Sequence, residues 1–295
     1  MDNVIEARKF ANIFEKKVGI FTFSCEMAIE IALKSINVKG RKVVLPSNIC
    51  HRVLLSVIRS GGIPVLIYPE NEFIISSSDI SKVLKKYNDI CTIILVHQFG
   101  IKCNIKEIRD IVGDIPIIED FSQGWKIKDI GKYSNYIVTS FASSKQLSFG
   151  FGGIICTNDE NINNLIDVNW KKTRNSEIDV LPYNLPASVN IKTKDLINKG
   201  NKTTDIQIKN AKEFYNLAKK INMNCLEINE GVWCRFPIWT YEKNTYEKAL
   251  KMLKNRDYEL PHKNGLEKVK FINGKEFFYE NYCNKKSYII LLKTR

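Results

Sequence analysis

Between residues 42 and 118 the chain alternates short apolar runs with amphipathic segments, and this alternation restricts its possible folds more than any single motif does. Lys42–Leu45, Pro64–Tyr68, Cys91–Val96 and Ile115–Ile118 read as strands, and the last two are apolar on both faces. A strand apolar on both faces must be covered on both sides, which is the situation of a parallel sheet between helical layers. Val53–Ile58, Asp79–Tyr87 (with Ser78 or Asp79 at its start) and Ile105–Val112 space their apolar residues as helices do and supply the crossovers. The expectation is an α/β fold, a three-layer, mostly parallel sheet.

The flanks extend this pattern. Val4–Phe14 predicts an amphipathic helix, Gly19–Phe23 a strand, and Met27–Ile36 a second helix that Ser24 would cap. Asp159–Lys171 and Asp205–Ile221 read as helices, Val232–Trp239 as a strand, Tyr241–Lys254 as a helix and Tyr288–Leu292 as a terminal strand. Residues 172–204 are polar and contain Pro182, Pro186 and Gly200. The expected organisation is a large domain over 1–180, an unassigned connection over 181–204, and a smaller, shortened C-terminal α/β domain over 205–295.

Sites in such sheets lie at the carboxyl ends of the strands. Glu119-Asp120 falls at one such end and His97-Gln98 at another, while Ser24-Cys25-Glu26 opens a helix after a strand. The stretch from Tyr136 to Asn158 holds two strand-like runs around a loop of small residues with a single lysine, Lys145, followed by Gly150, Gly152 and Gly153. A lysine amine condenses with an aldehyde cofactor, and pyridoxal phosphate then acts as an electron sink. That chemistry needs the amine, here Lys145, and a carboxylate to keep the pyridine nitrogen protonated, for which Asp120 is placed. It needs donors for a phosphate at a helix start, offered by Ser24-Cys25-Glu26 with the Ser140 hydroxyl. It also needs glycines where backbone passes close to the site.

In order along the chain stand Ser24-Cys-Glu-Met-Ala-Ile29, Leu45-Pro46-Ser47, Gly61-Gly62-Ile-Pro-Val65 and Val96-His97-Gln98-Phe99-Gly100. Ile118-Glu119-Asp120-Phe-Ser-Gln123, Thr139-Ser140-Phe141 with Lys145, and Gly150-Phe-Gly152-Gly153 with Thr157-Asn158-Asp159 follow. This series resembles the motifs of the DegT/DnrJ nucleotide-sugar aminotransferases, pyridoxal phosphate enzymes of fold type I. The resemblance implies that Lys145 carries the cofactor, Asp120 pairs with the pyridinium nitrogen and Gln123 contacts the ring hydroxyl. It implies that Ser140 and the backbone of Cys25 and Glu26 hold the phosphate, and that Cys50 stands where the family places its ring-stacking aromatic. Cys25 and Glu26 replace the glycine and threonine of the family's phosphate turn. Tyr183-Asn184 is the nearest match to a segment that supplies contacts across the family's dimer. By resemblance the substrates are a keto sugar carried on a nucleotide and an amino-acid donor, glutamate. The resemblance also implies a homodimer and a setting in glycan or surface polysaccharide synthesis. A lysine at 145, where a dehydratase branch has histidine, points to amino transfer. The alternatives are a degenerate member serving as a binding or partner subunit, and another pyridoxal phosphate reaction on the same fold.

Bulk properties narrow the classes. The eight cysteines form no CxxC pair and no zinc spacing, so they read as reduced and no metal is expected. With 45 basic against 32 acidic residues the net charge is +13, which suits anionic metabolites. The lysines are spread over helices rather than gathered in a tract, which argues against nucleic acid. No apolar run reaches a membrane-spanning length of about 18 residues. The acidic start, Met-Asp-Asn-Val-Ile-Glu, lacks the form of a secretory leader, so the cytoplasm is the expected compartment.

Overall fold

The computed structural model describes residues 2–70, 73–165, 189–254, 258–259, 278–281 and 288–294. Tyr183, Asn184 and Cys283 lie outside them, and the helix expected over Asp159–Lys171 is described only as far as residue 165. Helix α1 (Asp2–Asn12) leads to β1 (Val18–Thr22), α2 (Cys25–Ile36), β2 (Lys42–Pro46), α3 (His51–Arg59) and β3 (Ile63–Tyr68). Then come α4 (Ser77–Lys86), β4 (Ile90–Val96), α5 (Ile105–Val112), β5 (Ile117–Asp120), β6 (Tyr136–Ser140) and β7 (Gly153–Thr157). The second part holds α6 (Thr193–Lys220), β8 (Asn224–Cys225), β9 (Arg235–Thr240), α7 (Lys243–Met252), β10 (Tyr258–Glu259), β11 (Phe278–Asn281) and β12 (Tyr288–Lys293).

The main sheet has the order β1-β7-β6-β5-β4-β2-β3-β11. Pairing is parallel from β11 through β3, β2, β4 and β5 to β6, and antiparallel between β6 and β7 and between β7 and β1. Strand side chains alternate between faces, and β4 feeds two cores accordingly. Ile93 and Leu95 join the layer of α4 and α5, whereas Ile94 and Val96 join Ala28, Ile29, Ala32 and Leu33 of α2 and Val53, Leu54 and Val57 of α3. A third core gathers Phe10, Phe21, Phe121, Trp125, Phe141 and Leu147 beneath α1. The mostly parallel three-layer sheet is thus present. The second sheet, β10-β12-β9-β8, is antiparallel. Its Phe236, Ile238, Ile290 and Leu292 share one core with Ile93 and Leu95 of the main sheet.

Two local expectations are corrected. Helix α4 is capped by Ser76, ahead of both Ser78 and Asp79. Its hydroxyl accepts from Asp79 N at 3.1 Å and Asp79 Oδ2 accepts from Ser76 N at 2.8 Å, a reciprocal capping box. Helix α6 begins at Thr193, inside the stretch left unassigned, and runs for 28 residues. The polar run and Gly200 concealed its start. Its first turn is held by Glu6 of α1, whose Oε2 accepts from Thr193 N at 2.9 Å and whose carbonyl accepts from Thr193 Oγ1 at 2.6 Å. Among the described residues no helix is long and apolar enough to cross a membrane.

Candidate active site

The parallel strands deliver Asp120, the last residue of β5, and Ser140, the last of β6, to one edge of the sheet, where the start of α2 meets them. Asp120 is buried, and its Oδ1 accepts from Ser122 N at 2.8 Å. Burial pushes its carboxyl pKa up, against the pull of the Ser122 hydrogen bonds and the charge of Lys145. The Ser122 hydroxyl is the hub: it accepts from Ser140 N at 3.0 Å and lies 3.5 Å from Cys25 Sγ. One serine therefore ties the end of β5, the end of β6 and the first residue of α2 together.

Ser24 caps α2, as the sequence predicts, accepting from Met27 N at 3.3 Å. Strand β7 runs against this helix start, and only glycine fits there. A Cβ on Gly153 would lie 2.6 Å from Cys25 N and 2.8 Å from Thr139 O, both backbone atoms. The start of α2 thus presents N–H groups beside Ser140, whose Oγ accepts from Ala142 N at 3.3 Å. This is the arrangement that favours an anion. The Cys25 thiol is pushed well up, first by burial and then by the Asp120 carboxylate, with Cys50 adding to the push, so it is a neutral thiol. Cys50 is exposed at the start of α3.

Lys145 sits half-buried in the loop between β6 and β7, its N donating to Ala142 O at 2.9 Å. Its charge bears on both Asp120 and Cys25. The next residue anchors the loop: Gln146 Oε1 accepts from Trp125 N at 2.8 Å, and Gln146 Nε2 donates to Gln207 Oε1 of α6 at 2.8 Å. Helix α6 approaches closely because Gly200 faces Leu147 and Trp125. Across the site, Gln123 Nε2 donates to Gln98 Oε1 at 3.2 Å, and Gln98 Nε2 donates to Asn48 O at 2.7 Å, just ahead of Cys50. Behind this edge a buried pair braces the strand ends: His97 Nδ1 accepts from Cys103 N at 3.0 Å, which leaves the ring proton on Nε2, 2.9 Å from Glu119 Oε1. Glu119 Oε2 accepts from Gly131 N at 2.9 Å and Ser134 Oγ at 2.6 Å.

Glu26 does not stand against the helix start as a bare charge. Its buried carboxylate is paired with Arg59 through Oε1 and with Arg52 through Oε2 at 2.9 Å. The structure therefore brings Lys145, Asp120, Ser140, Cys25 and Glu26 to one edge, with Cys50 and Gln123 at its rim. The sequence reading gave no role to Ser122, Gln98, Gln146, Gln207, Arg52 or Arg59. Ser122 and Gln98 stand within the motifs Ile118–Gln123 and Val96–Gly100 and can be found from them; the arginines carry no such signal. Among the described residues no group of three or more His, Cys, Asp or Glu is set to hold a metal.

Residues 6–176 match the DegT/DnrJ/EryC1/StrS aminotransferase family, more than half of the chain. The chain belongs to this family. Among curated family relatives it is 27% identical over 241 residues to the 3-oxo-glucose-6-phosphate:glutamate aminotransferase of Bacillus subtilis (strain 168), covering 76% of this chain and 54% of that protein. It is 26% identical over 144 residues to the GDP-perosamine synthase of Escherichia coli O157:H7, covering 46% of this chain and 39% of that protein. The chain thus spans about half or less of the length of these two relatives. Among solved structures, NtdA from Bacillus subtilis with bound cofactor PMP superposes with a TM-score of 0.71 at 20% identity, over 92% of this chain and 68% of that one. This likeness shows that the fold is that of the family.

Proposed function

We propose that this protein is a pyridoxal phosphate-dependent aminotransferase that moves an amino group from glutamate onto a keto sugar carried on a nucleotide, in glycan or surface polysaccharide synthesis. The observation that carries the reading is the meeting of the Lys145 amine, the buried Asp120 carboxylate and the glycine-lined start of α2 at one sheet edge. These residues fit the cofactor: a Cβ on Gly153 would fill the helix start, and a buried carboxylate such as Asp120 is further satisfied by a cation brought beside it. When bound, pyridoxal phosphate supplies the electron sink that lets an amino acid lose its α-proton.

The chain's own groups then divide the work. Asp120 holds the ring nitrogen protonated. Ser140 Oγ and the N–H groups of Cys25 and Glu26 bind the phosphate, aided by the dipole of α2. Gln123, oriented by Gln98, takes the ring hydroxyl, and Cys50 covers a ring face. Lys145 Nζ would hold the cofactor and, once freed, would be the base that holds the proton taken from the donor's α-carbon. The main sheet would carry the cofactor, and the second sheet, β10-β12-β9-β8, would form the smaller part beside it. Phe149 and Phe151, both exposed, form a cluster with Phe23 beside the lysine loop, which a second copy would cover in a homodimer. A non-catalytic partner subunit would have no use for the amine, the carboxylate and the phosphate-binding donors together, and the family relatives do not favour it.

The relatives' names include both a sugar phosphate and a GDP-linked sugar. The test loads the full chain with pyridoxal phosphate and glutamate and offers nucleotide-linked keto sugars in one arm and 3-oxo-glucose 6-phosphate in the other. An amino sugar in the nucleotide arm, absent with Lys145→Ala, is expected. Product only in the sugar phosphate arm would replace the substrate class, and no product in either arm would overturn the reading.

A further inference from the structure

We propose that Arg52 and Arg59 set the affinity of this chain for the cofactor phosphate by neutralising Glu26, rather than by touching the phosphate. The inference rests on the reading of the start of α2 as the phosphate site. Glu26 is the second residue of that helix, so its side chain lies within about one helical turn of whatever anion the helix holds. A carboxylate there repels a phosphate, and because the Glu26 side chain is buried the repulsion is weakly screened.

The structure shows how the charge is offset. Both carboxylate oxygens of Glu26 are occupied by guanidinium groups of α3, Arg59 on Oε1 and Arg52 on Oε2 at 2.9 Å. Arg59 also reaches Glu30 Oε1, one turn further along α2, at 3.4 Å. The pairing draws the Glu26 carboxylate toward the body of α3. The peptide of Glu26 is fixed as well, its carbonyl accepting from Ser56 Oγ at 3.0 Å. The Glu26 side chain is 7% exposed, while those of Arg52 and Arg59 are 66% and 54% exposed. The two arginines are thus the outer part of the assembly and the glutamate its inner part. Taking the arginines away leaves a buried negative charge beside the anion site. Taking all three charges away leaves the backbone donors of α2 and Ser140 as they are.

The experiment titrates full-length chains with pyridoxal phosphate and with pyridoxal, which lacks the phosphate, reading the near-visible absorbance of the lysine-bound form. The chains are wild type, R52A/R59A and E26Q/R52A/R59A. Phosphate affinity is expected to fall about 10- to 100-fold in R52A/R59A and to return to within about threefold of wild type in the triple variant. Pyridoxal binding should not change across the series. Equal pyridoxal phosphate affinity in wild type and R52A/R59A would overturn the proposal. So would a loss that Glu26→Gln does not repair, because Glu26 would then not be the charge that the arginines offset. Arg52→Ala alone, with and without Glu26→Gln, gives the same comparison at smaller amplitude if the double variant does not fold. A wild-type chain that takes up neither compound would instead refute the cofactor reading itself.

Discussion

Replacing Gly200 by alanine separates helix propensity from packing in a single methyl group. Gly200 lies inside α6, where alanine ordinarily stabilises a helix by about 1 kcal/mol relative to glycine. Here the added Cβ would lie 2.6 Å from Leu147 Cδ2 and 3.0 Å from both Cδ1 and Nε1 of Trp125. Leu147 is 2% exposed and Trp125 7%, so neither can swing into solvent. Trp125 is also held at both its indole and its backbone, Nε1 donating to Asn201 Oδ1 at 3.0 Å and N donating to Gln146 Oε1 at 2.8 Å. Forcing a methyl group into such a contact costs about 1–3 kcal/mol. Overpacking therefore wins, and Gly200→Ala is expected to destabilise the chain by about 1 kcal/mol net. Urea unfolding measures it, with Lys202→Gly and Lys202→Ala at an exposed position of the same helix calibrating the intrinsic increment. Because Leu147 is two residues from Lys145, weaker cofactor binding should accompany the loss. A Gly200→Ala chain that gains the full increment measured at position 202 would refute the packing argument.

Other outcomes follow from the polar network. Gln207→Leu should cost about 1–3 kcal/mol by leaving the Gln146 amide without an acceptor, and Gln146→Leu more, because it also orphans Trp125 N; thermal unfolding of the two variants gives the order. Asp159 carries a pH signature. Burial pushes its carboxyl up, but hydrogen bonds from Ser35, Asn161 and Tyr136 outweigh this and leave it below its ordinary value. A carboxylate lowered by folding stabilises above its unfolded pKa of about 3.9 and loses that contribution as pH falls through its folded value. Asp159→Asn should therefore melt below wild type at pH 7, with the gap closing toward pH 3.

The sheet was legible because its physics is local to each strand. Cys91–Val96 announces a buried parallel strand by being apolar on both faces, and the structure buries β4 along its whole length. Lys145 and Asp120 could be picked out because a lysine among small residues and a carboxylate at a strand end are both out of place. What stayed hidden depends on pairing across the chain. Nothing around Gly200 announces a helix, since the glycine is there to let α6 approach Leu147 and Trp125, more than fifty residues away in sequence. Glu26 stands in the sequence only as a departure from the family's phosphate turn, and its partners Arg52 and Arg59 appear once the fold places α3 beside α2. Ser122 became the hub only when β5, β6 and α2 met.

The central claim is that Lys145 is the amine at which this chain holds pyridoxal phosphate. Mixing the full chain with one equivalent of pyridoxal phosphate, reducing with borohydride and mapping the modified lysine by peptide mass spectrometry tests it directly. One phosphopyridoxyl group per chain, on the peptide containing Lys145, is the predicted result. Labelling spread over the surface lysines of α6 and α7, with Lys145 unmodified, would contradict it.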